Sequence, residues 1–263
     1  MGLRRRDDDL NSHDTHTDHI DTDYIHPEVG DLVRSVGLVG WTRIIVGNWA
    51  ILGAIILGLF IHLKSVANFD QAVLNCVLTI RIDALTAFMK AVTHLFSPTV
   101  SVIEALVIGL LIWAVSKSWR FGLFIPLVMA VSAVATSLVK LGIERVRPPI
   151  PQRLVVELSH SFPSGHTTAA SALAISAALL SLHAWGLSLI NVGIADSRLS
   201  WNRRGRACLI WALAISLVAL VATTRIYLAA HWTTDIIGGA LMGSGTALIL
   251  GGLLLSRHSV HTR

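Results

Sequence analysis

The chain has 263 residues, of which 53% are hydrophobic and 14% are charged, and its mean hydropathy is +0.66. This apolar content exceeds that of water-soluble domains, so the composition indicates an integral membrane protein and excludes a soluble globular enzyme. The formal charge of +5 is typical of membrane proteins, whose span ends are basic, and we expect no nucleic-acid partner. Two cysteines, Cys76 and Cys208, exclude a disulfide framework and a zinc cluster built on cysteine.

The first 43 residues are polar and show no apolar periodicity, which predicts a disordered cytoplasmic tail. Four histidines at positions 13, 16, 19 and 26 alternate with aspartates there, and a loosely bound metal ion is the alternative to a solvated tail. The first apolar run begins too late and is too long for a cleavable signal peptide.

Six apolar stretches follow, each long enough for a helix to cross about 30 Å of hydrocarbon. They cover residues 44–63, 98–116, 121–142, 166–184, 207–225 and 233–254. The sequence therefore predicts an all-α bundle of six transmembrane helices in one domain, 44–254, and a short cytoplasmic tail, 255–263. The segment between the first two spans is apolar but interrupted by charges, which predicts an amphipathic helix at the membrane interface.

The basic residues of the connecting segments predict the orientation of the bundle. Most of the arginines and lysines lie in four segments: the two terminal tails, the second-to-third connection and the fourth-to-fifth connection. The positive-inside rule places these segments in the cytoplasm, and we expect the plasma membrane. The segments 64–97, 143–165 and 226–232 then share the extracytoplasmic face.

Three basic residues nevertheless follow or end the third span, in "KLGIERVRPP" (140–149). The two prolines disfavour helical geometry at Arg147, so the helix ends before it and the chain turns. This break allows Lys140 and Arg147 to converge, as for binding an anion. The alternative is that Lys140 snorkels to the interface while Arg147 meets lipid headgroups.

The segment "SFPSGHTTAA" (161–170) leads into the fourth apolar helix. A Ser164-Gly165 turn at a helix start presents free backbone N–H groups and the positive end of the helix dipole, which suits an anion. His166 would stand beside a phosphate bound there. An ordinary capping turn is the alternative.

The segment "TTRIYLAAHWTTD" (223–235) joins the fifth and sixth spans. His231 and Asp235 are four residues apart, so on a helix they would share one face, and Asp235 can orient the imidazole. The other ring nitrogen would then be a nucleophile, as covalent catalysis requires. Arg225 adds a cation, and a purely structural His–Asp pair is the alternative.

Together these segments resemble the signature of the type 2 phosphatidic acid phosphatase (PAP2) family. That signature has Lys, six residues and Arg-Pro, then Pro-Ser-Gly-His, then Ser-Arg, five residues, His, three residues and Asp. It corresponds here to Lys140 with Arg147-Pro148, to Pro163 through His166, and to Arg225, His231 and Asp235. Thr224 replaces the usual serine and keeps the hydroxyl. The resemblance covers residues 44–254.

The resemblance implies a set of roles for these residues. His231 Nε2 would attack phosphorus and form a phosphohistidine, Asp235 would orient His231, and His166 would protonate the leaving oxygen. The phosphoryl oxygens would be bound by Lys140, Arg147, Ser164, Gly165 and Arg225. Fixed cations replace magnesium in this scheme, so we expect neither a metal nor another cofactor. Arg145 lies outside the signature and is assigned only an auxiliary contact.

The membrane setting predicts a lipid substrate whose tail stays in the bilayer while its phosphate enters the site. The candidate substrates are undecaprenyl diphosphate, phosphatidate and phosphatidylglycerophosphate, with the outward face favouring the polyprenyl carrier. A lipid phosphotransferase with the same intermediate, and a non-catalytic lipid-binding or scrambling protein, remain alternatives. We expect contact with membrane lipids and no obligatory protein partner.

Overall fold

The computed structural model describes the backbone of residues 27–187 and 201–255, and the side chains of 36–187 and 202–255. These residues form eight α-helices joined by turns and loops, with no strand in the part described. The helices are α1 (Pro27–Phe60), α2 (Lys64–Leu78), α3 (Asp83–Leu95), α4 (Pro98–Ser116), α5 (Trp119–Ile143), α6 (Gly165–Ala184), α7 (Trp201–Tyr227) and α8 (Thr233–Leu254).

Six of these helices, α1 and α4 to α8, are long and apolar enough to cross a membrane. The predicted all-α, six-span fold is therefore confirmed. The first span covers Val36–Phe60, and its helix begins at Pro27, earlier than the predicted boundary at 44, with a kink at Gly37, where φ is 67°. The four tail histidines and residues 256–263 lie outside the described residues.

The segment between the first two spans forms two helices, α2 and α3, rather than one. Their connection is fixed to the rest of the protein by Arg81, which donates hydrogen bonds to the carbonyl of Tyr227 at 2.6 and 3.0 Å and to that of Gln152 at 2.8 Å. Tyr227 ends α7 and Gln152 lies in the loop after α5. The segments 64–97, 143–165 and 226–232 therefore meet at one end of the bundle.

Helices α6 and α8 form the centre of the bundle and are its most buried spans. They pack closely because α8 presents glycines to α6. A Cβ added at Gly239 would lie 2.5 Å from the carbonyl oxygen of Ser164, and one at Gly243 would lie 2.8 Å from the amide nitrogen of Ala172. Small residues allow such close approach between membrane helices, where packing and hydrogen bonds drive association.

The loop between α5 and α6 begins with a left-handed residue. Glu144, with φ 49°, ends α5 four residues before the first residue of the Pro148-Pro149 pair. Arg145 and Arg147 therefore lie in non-helical backbone that crosses the end of the bundle. The ends of α5 and α7 and the starts of α6 and α8 meet there, and this convergence assembles the candidate site.

Candidate active site

His231 lies in the short turn between α7 and α8 and is 1% exposed. Its backbone N–H donates to the carbonyl of Arg225 at 3.3 Å, which folds the turn back onto the end of α7. The helical spacing predicted for His231 and Asp235 is wrong, because α8 begins only at Thr233. The two residues meet because Asp235, in the first turn of α8, reaches back towards the residues that precede the helix.

The contacts of the two ring nitrogens assign the tautomer of His231. Its Nε2 is 3.1 Å from a guanidinium nitrogen of Arg147, and arginine can only donate, so Nε2 accepts and carries the lone pair. Its Nδ1 is 3.4 Å from Asp235 Oδ2 and 3.5 Å from the hydroxyl of Ser161. The proton therefore belongs on Nδ1, which faces the carboxylate, and catalytic contacts of this length often shorten when substrate binds.

The protonation state of His231 follows from its surroundings. Burial, and after it the positive charges of Arg147, Arg225 and Lys140, hold the pKa of His231 well below its ordinary value of 6.5. Both effects disfavour the imidazolium. At neutral pH the ring is therefore neutral, which is the state that a nucleophile requires.

Asp235 is fully buried, and both of its oxygens accept hydrogen bonds. Its Oδ2 accepts from the backbone N–H of Trp232 at 2.8 Å and from the hydroxyl of Ser161, and it also faces His231. Its Oδ1 accepts from Arg145 at 2.5 Å. These donors fix the carboxylate in one orientation, with Oδ2 towards the imidazole.

On the other side of His231 lie the three predicted cations, Lys140, Arg147 and Arg225, here called the cationic cluster. Lys140 Nζ donates to the carbonyl of His160 at 2.5 Å, and Arg147 donates to the same oxygen at 3.4 Å. Arg147 also donates to the carbonyls of Ser159 and Ala230, each at 2.7 Å. The structure thus brings Lys140 and Arg147 together.

Glu157 contacts two members of the cationic cluster and His166. Its carboxylate accepts a hydrogen bond from Arg225 and lies 3.9 Å from both a guanidinium nitrogen of Arg147 and the Nδ1 of His166. Arg225 also donates to the hydroxyl of Thr93 at 2.6 Å. Burial lowers the pKa of Arg147, whereas Glu157 and Asp235 raise it, and a guanidinium remains charged under these influences. Glu157 is 24% exposed, so it can leave these cations.

Ser164 caps α6, because its hydroxyl oxygen accepts from the backbone N–H of Thr167 at 3.4 Å and also from the Thr167 hydroxyl at 3.1 Å. The capping alternative is thus observed for its side chain. Its backbone N–H donates to the carbonyl of Asp235 at 2.9 Å, which joins the starts of α6 and α8. Gly165 and His166 are the first helical residues of α6, so their N–H groups have no partner within the helix and can bind an anion.

The sequence-predicted site residues thus gather at one end of the bundle. Thr224, the departure from the family signature, uses its hydroxyl to bond the carbonyl of Val221 at 2.7 Å within α7. Arg145, assigned only an auxiliary contact, instead bonds Asp235.

Sequence reasoning missed the polar side chains that support the site: Asp70, Ser161, Glu157 and Thr234. A lone acidic residue in an apolar segment was the available signal for Asp70.

This arrangement suits phosphoryl transfer through a covalent intermediate. A neutral imidazole presents its lone pair beside three cations that can stabilise the negative charge of a phosphoryl group. Among the residues that the structure describes, no group of three histidine, cysteine, aspartate or glutamate side chains is placed to hold a metal ion.

Comparison with known proteins identifies the family. A model of the PAP2 superfamily matches residues 121–256, just over half of the chain. The chain belongs to the PAP2 superfamily. The match contains all the signature residues, and the family assignment makes this a multi-pass membrane protein of a phosphatase family.

Two comparisons with Bacillus subtilis proteins support the assignment. Phosphatidylglycerophosphatase B of strain 168 is 30% identical over 190 residues, which are 72% of this chain and 85% of the relative. The crystal structure of a transmembrane PAP2 type phosphatidylglycerolphosphate phosphatase from B. subtilis superimposes with a TM-score of 0.66 at 27% identity. That comparison covers 78% of this chain and 94% of the other.

Proposed function

We propose that this PAP2 protein is a lipid phosphatase that removes a terminal phosphate from a membrane lipid through a phosphohistidine at His231. The observation that carries the proposal is the pair of contacts made by the imidazole. Nε2 accepts from Arg147 at 3.1 Å while Nδ1 faces Asp235 at 3.4 Å. A neutral ring held in this tautomer directs its lone pair towards the cationic cluster.

In the first step the Nε2 lone pair attacks phosphorus, the bond from phosphorus to the leaving oxygen breaks, and His166 gives that oxygen a proton. The phosphoryl oxygens accept hydrogen bonds from Lys140, Arg147 and Arg225, in place of the protein acceptors that these cations now bind. In the second step water attacks the phosphohistidine, the P–N bond breaks, and His166 recovers a proton from the water. Asp235 offsets the positive charge of the phosphorylated ring.

A groove among α4, α5 and α6 supports a lipid substrate. It has a volume of about 280 Å³, and its apolar lining includes Val102, Met129 and Ala169. Lys140 and Gly165, both assigned to the phosphate, line the same groove. A lipid can therefore lie with its chain among these helices and its phosphate at the cationic cluster.

The first candidate substrate is phosphatidylglycerophosphate, because the matched B. subtilis protein and the matched B. subtilis structure are both named for that activity. Undecaprenyl diphosphate and phosphatidate present the same terminal phosphate and remain candidates. We further propose the plasma membrane as the location, with cytoplasmic termini and the site on the extracytoplasmic face, because most of the arginines and lysines lie in the terminal segments and in the second-to-third and fourth-to-fifth connections of the sequence.

The test is phosphate release by the purified, detergent-solubilised protein from these three lipids in the presence of EDTA. We expect release from at least one lipid, abolished in His231→Ala, and no requirement for added magnesium. Release that persists in His231→Ala would contradict the nucleophile assignment. Loss of activity in EDTA with recovery in magnesium would contradict metal independence, and transfer of phosphate to an added alcohol in place of water would identify a phosphotransferase.

A further inference from the structure

Asp70 is a buried carboxylate that the proposed reaction does not use. It lies in α2, outside the six spans and outside the segment matched by the family model, and is 1% exposed. A buried carboxylate is costly unless charge and hydrogen bonds compensate it. Its partners therefore indicate why the chain keeps it.

The partners of Asp70 connect it to Asp235, the carboxylate that faces the nucleophile His231. One carboxylate oxygen accepts from the backbone N–H of Thr234 at 3.0 Å, and the other accepts from the Thr234 hydroxyl and from Arg145, each at 2.6 Å. Thr234 is the neighbour of Asp235 in the first turn of α8. Arg145 uses one terminal nitrogen for Asp70 and the other for Asp235, at 2.5 Å.

Arg145 thus divides its two terminal nitrogens between two carboxylates. A guanidinium facing a single carboxylate tends to bind both of its oxygens in a bidentate pair. A bidentate pair would engage Asp235 Oδ2, the oxygen that faces His231 Nδ1. Asp70 holds the second nitrogen of Arg145, so that only Oδ1 of Asp235 is taken.

We propose that Asp70 is a positioning residue for catalysis, which acts through Arg145 to keep Asp235 Oδ2 directed at His231. The proposal rests on the function proposed above. Asp70 and Asp235 share the single guanidinium of Arg145, so these three side chains together carry excess negative charge. They lie beside the ring of His231, which becomes cationic when it is phosphorylated. Helix α2 is therefore part of the catalytic apparatus and more than an interfacial anchor.

The test compares Asp70→Asn with the wild-type enzyme on the lipid that the wild type hydrolyses fastest. Without the acidic acceptor, Arg145 is free to turn towards Asp235. We expect kcat to fall by about 10- to 100-fold, which is typical of residues that orient a reacting group through an intervening side chain. We expect KM to stay within about two-fold, since Asp70 contacts no member of the cationic cluster.

The matched control is Arg81→Lys. Arg81 holds the α2–α3 connection to Tyr227 and Gln152 through three hydrogen bonds but does not contact Asp235. This variant should lower the thermal stability of the solubilised protein while kcat stays within about two-fold. A similar loss of kcat in both variants would mean that Asp70 only anchors α2, which would overturn the proposal.

A double-mutant cycle with Arg145→Met tests the route of the effect. Because Asp70 acts through Arg145, adding Asp70→Asn to Arg145→Met should change kcat by less than about two-fold. The double variant should also be more stable than Arg145→Met alone, in which Asp70 is left buried without its cation.

A wild-type kcat in Asp70→Asn, or a full additional loss in the Arg145→Met background, would overturn the inference and leave the proposed function intact. A wild-type enzyme without His231-dependent release would overturn the proposed function and the inference with it.

Discussion

The two sides of His231 are built differently. On the Nδ1 side, Asp235 and Asp70 are at most 1% exposed, and their partners are fixed side chains and backbone N–H groups. On the Nε2 side, the cationic cluster is bonded to loop carbonyls and to Glu157, which is 24% exposed. One side is complete before substrate arrives, whereas the other must exchange protein acceptors for phosphate oxygens.

This difference separates the variants by the kinetic constant that they should change. Substitutions on the Nδ1 side remove orientation and charge needed in the transition state, so they should lower kcat. Substitutions on the Nε2 side alter phosphate binding and should also change KM or inhibition by phosphate.

The largest effect is expected for Asp235→Asn. The amide keeps the shape of the carboxylate but loses its charge and can present N–H to the imidazole, which would favour the wrong tautomer. We expect kcat to fall on the order of 10³-fold with KM little changed. Steady-state phosphate release measures both constants, and a large rise in KM at constant kcat would contradict the separation of the two sides.

Lys140→Met comes next. Lys140 has the flexible single charge of an ammonium, and it can exchange the His160 carbonyl for a phosphate oxygen. We expect kcat/KM to fall by about 10²-fold, with a rise in KM, because a cation that stabilises the phosphoryl group is lost. Arg153→Met is the control, since Arg153 donates to the Pro148 carbonyl in the α5–α6 loop, the loop that also contains His160. Equal losses in both variants would point to loop disruption.

Glu157→Gln should act in the opposite direction. The carboxylate of Glu157 competes with phosphate for Arg225 and Arg147, and glutamine removes the competing charge while retaining an acceptor. We expect inorganic phosphate to inhibit about three- to ten-fold more strongly, measured as its inhibition constant at fixed pH and lipid concentration. Weaker inhibition would show that Glu157 supports the phosphate site.

The smallest effect concerns stability and pH. The pKa of His231 is depressed in the folded protein, so below pH 6.5 the unfolded chain binds a proton that the folded protein does not. Stability therefore falls as the pH drops, by at most about 1.4 kcal/mol per pH unit from this group. The thermal transition of wild type should fall more between pH 7.5 and 5.5 than that of His231→Gln. Equal falls would contradict a neutral buried ring.

The sequence predicted the six spans and indicated the eight candidate site residues, because hydropathy over 20 residues and fixed motif spacing are local signals. It did not predict the turn that places His231 outside α8, since a spacing of four residues fits several backbone conformations. Nor did it identify Asp70, whose partners Arg145 and Thr234 lie 75 and 164 residues away in the chain. Such contacts depend on how α2 packs on the bundle, which no local pattern encodes.

The most direct test of the account is to trap the intermediate. The enzyme is mixed with a lipid carrying a radioactive terminal phosphate and quenched in alkali within one turnover, since phosphohistidine survives alkali and is lost in acid. The account predicts acid-labile label on the peptide that contains His231 in the wild-type enzyme and none in His231→Ala. Label retained by His231→Ala, or single-turnover hydrolysis by wild type without any labelled protein, would contradict it.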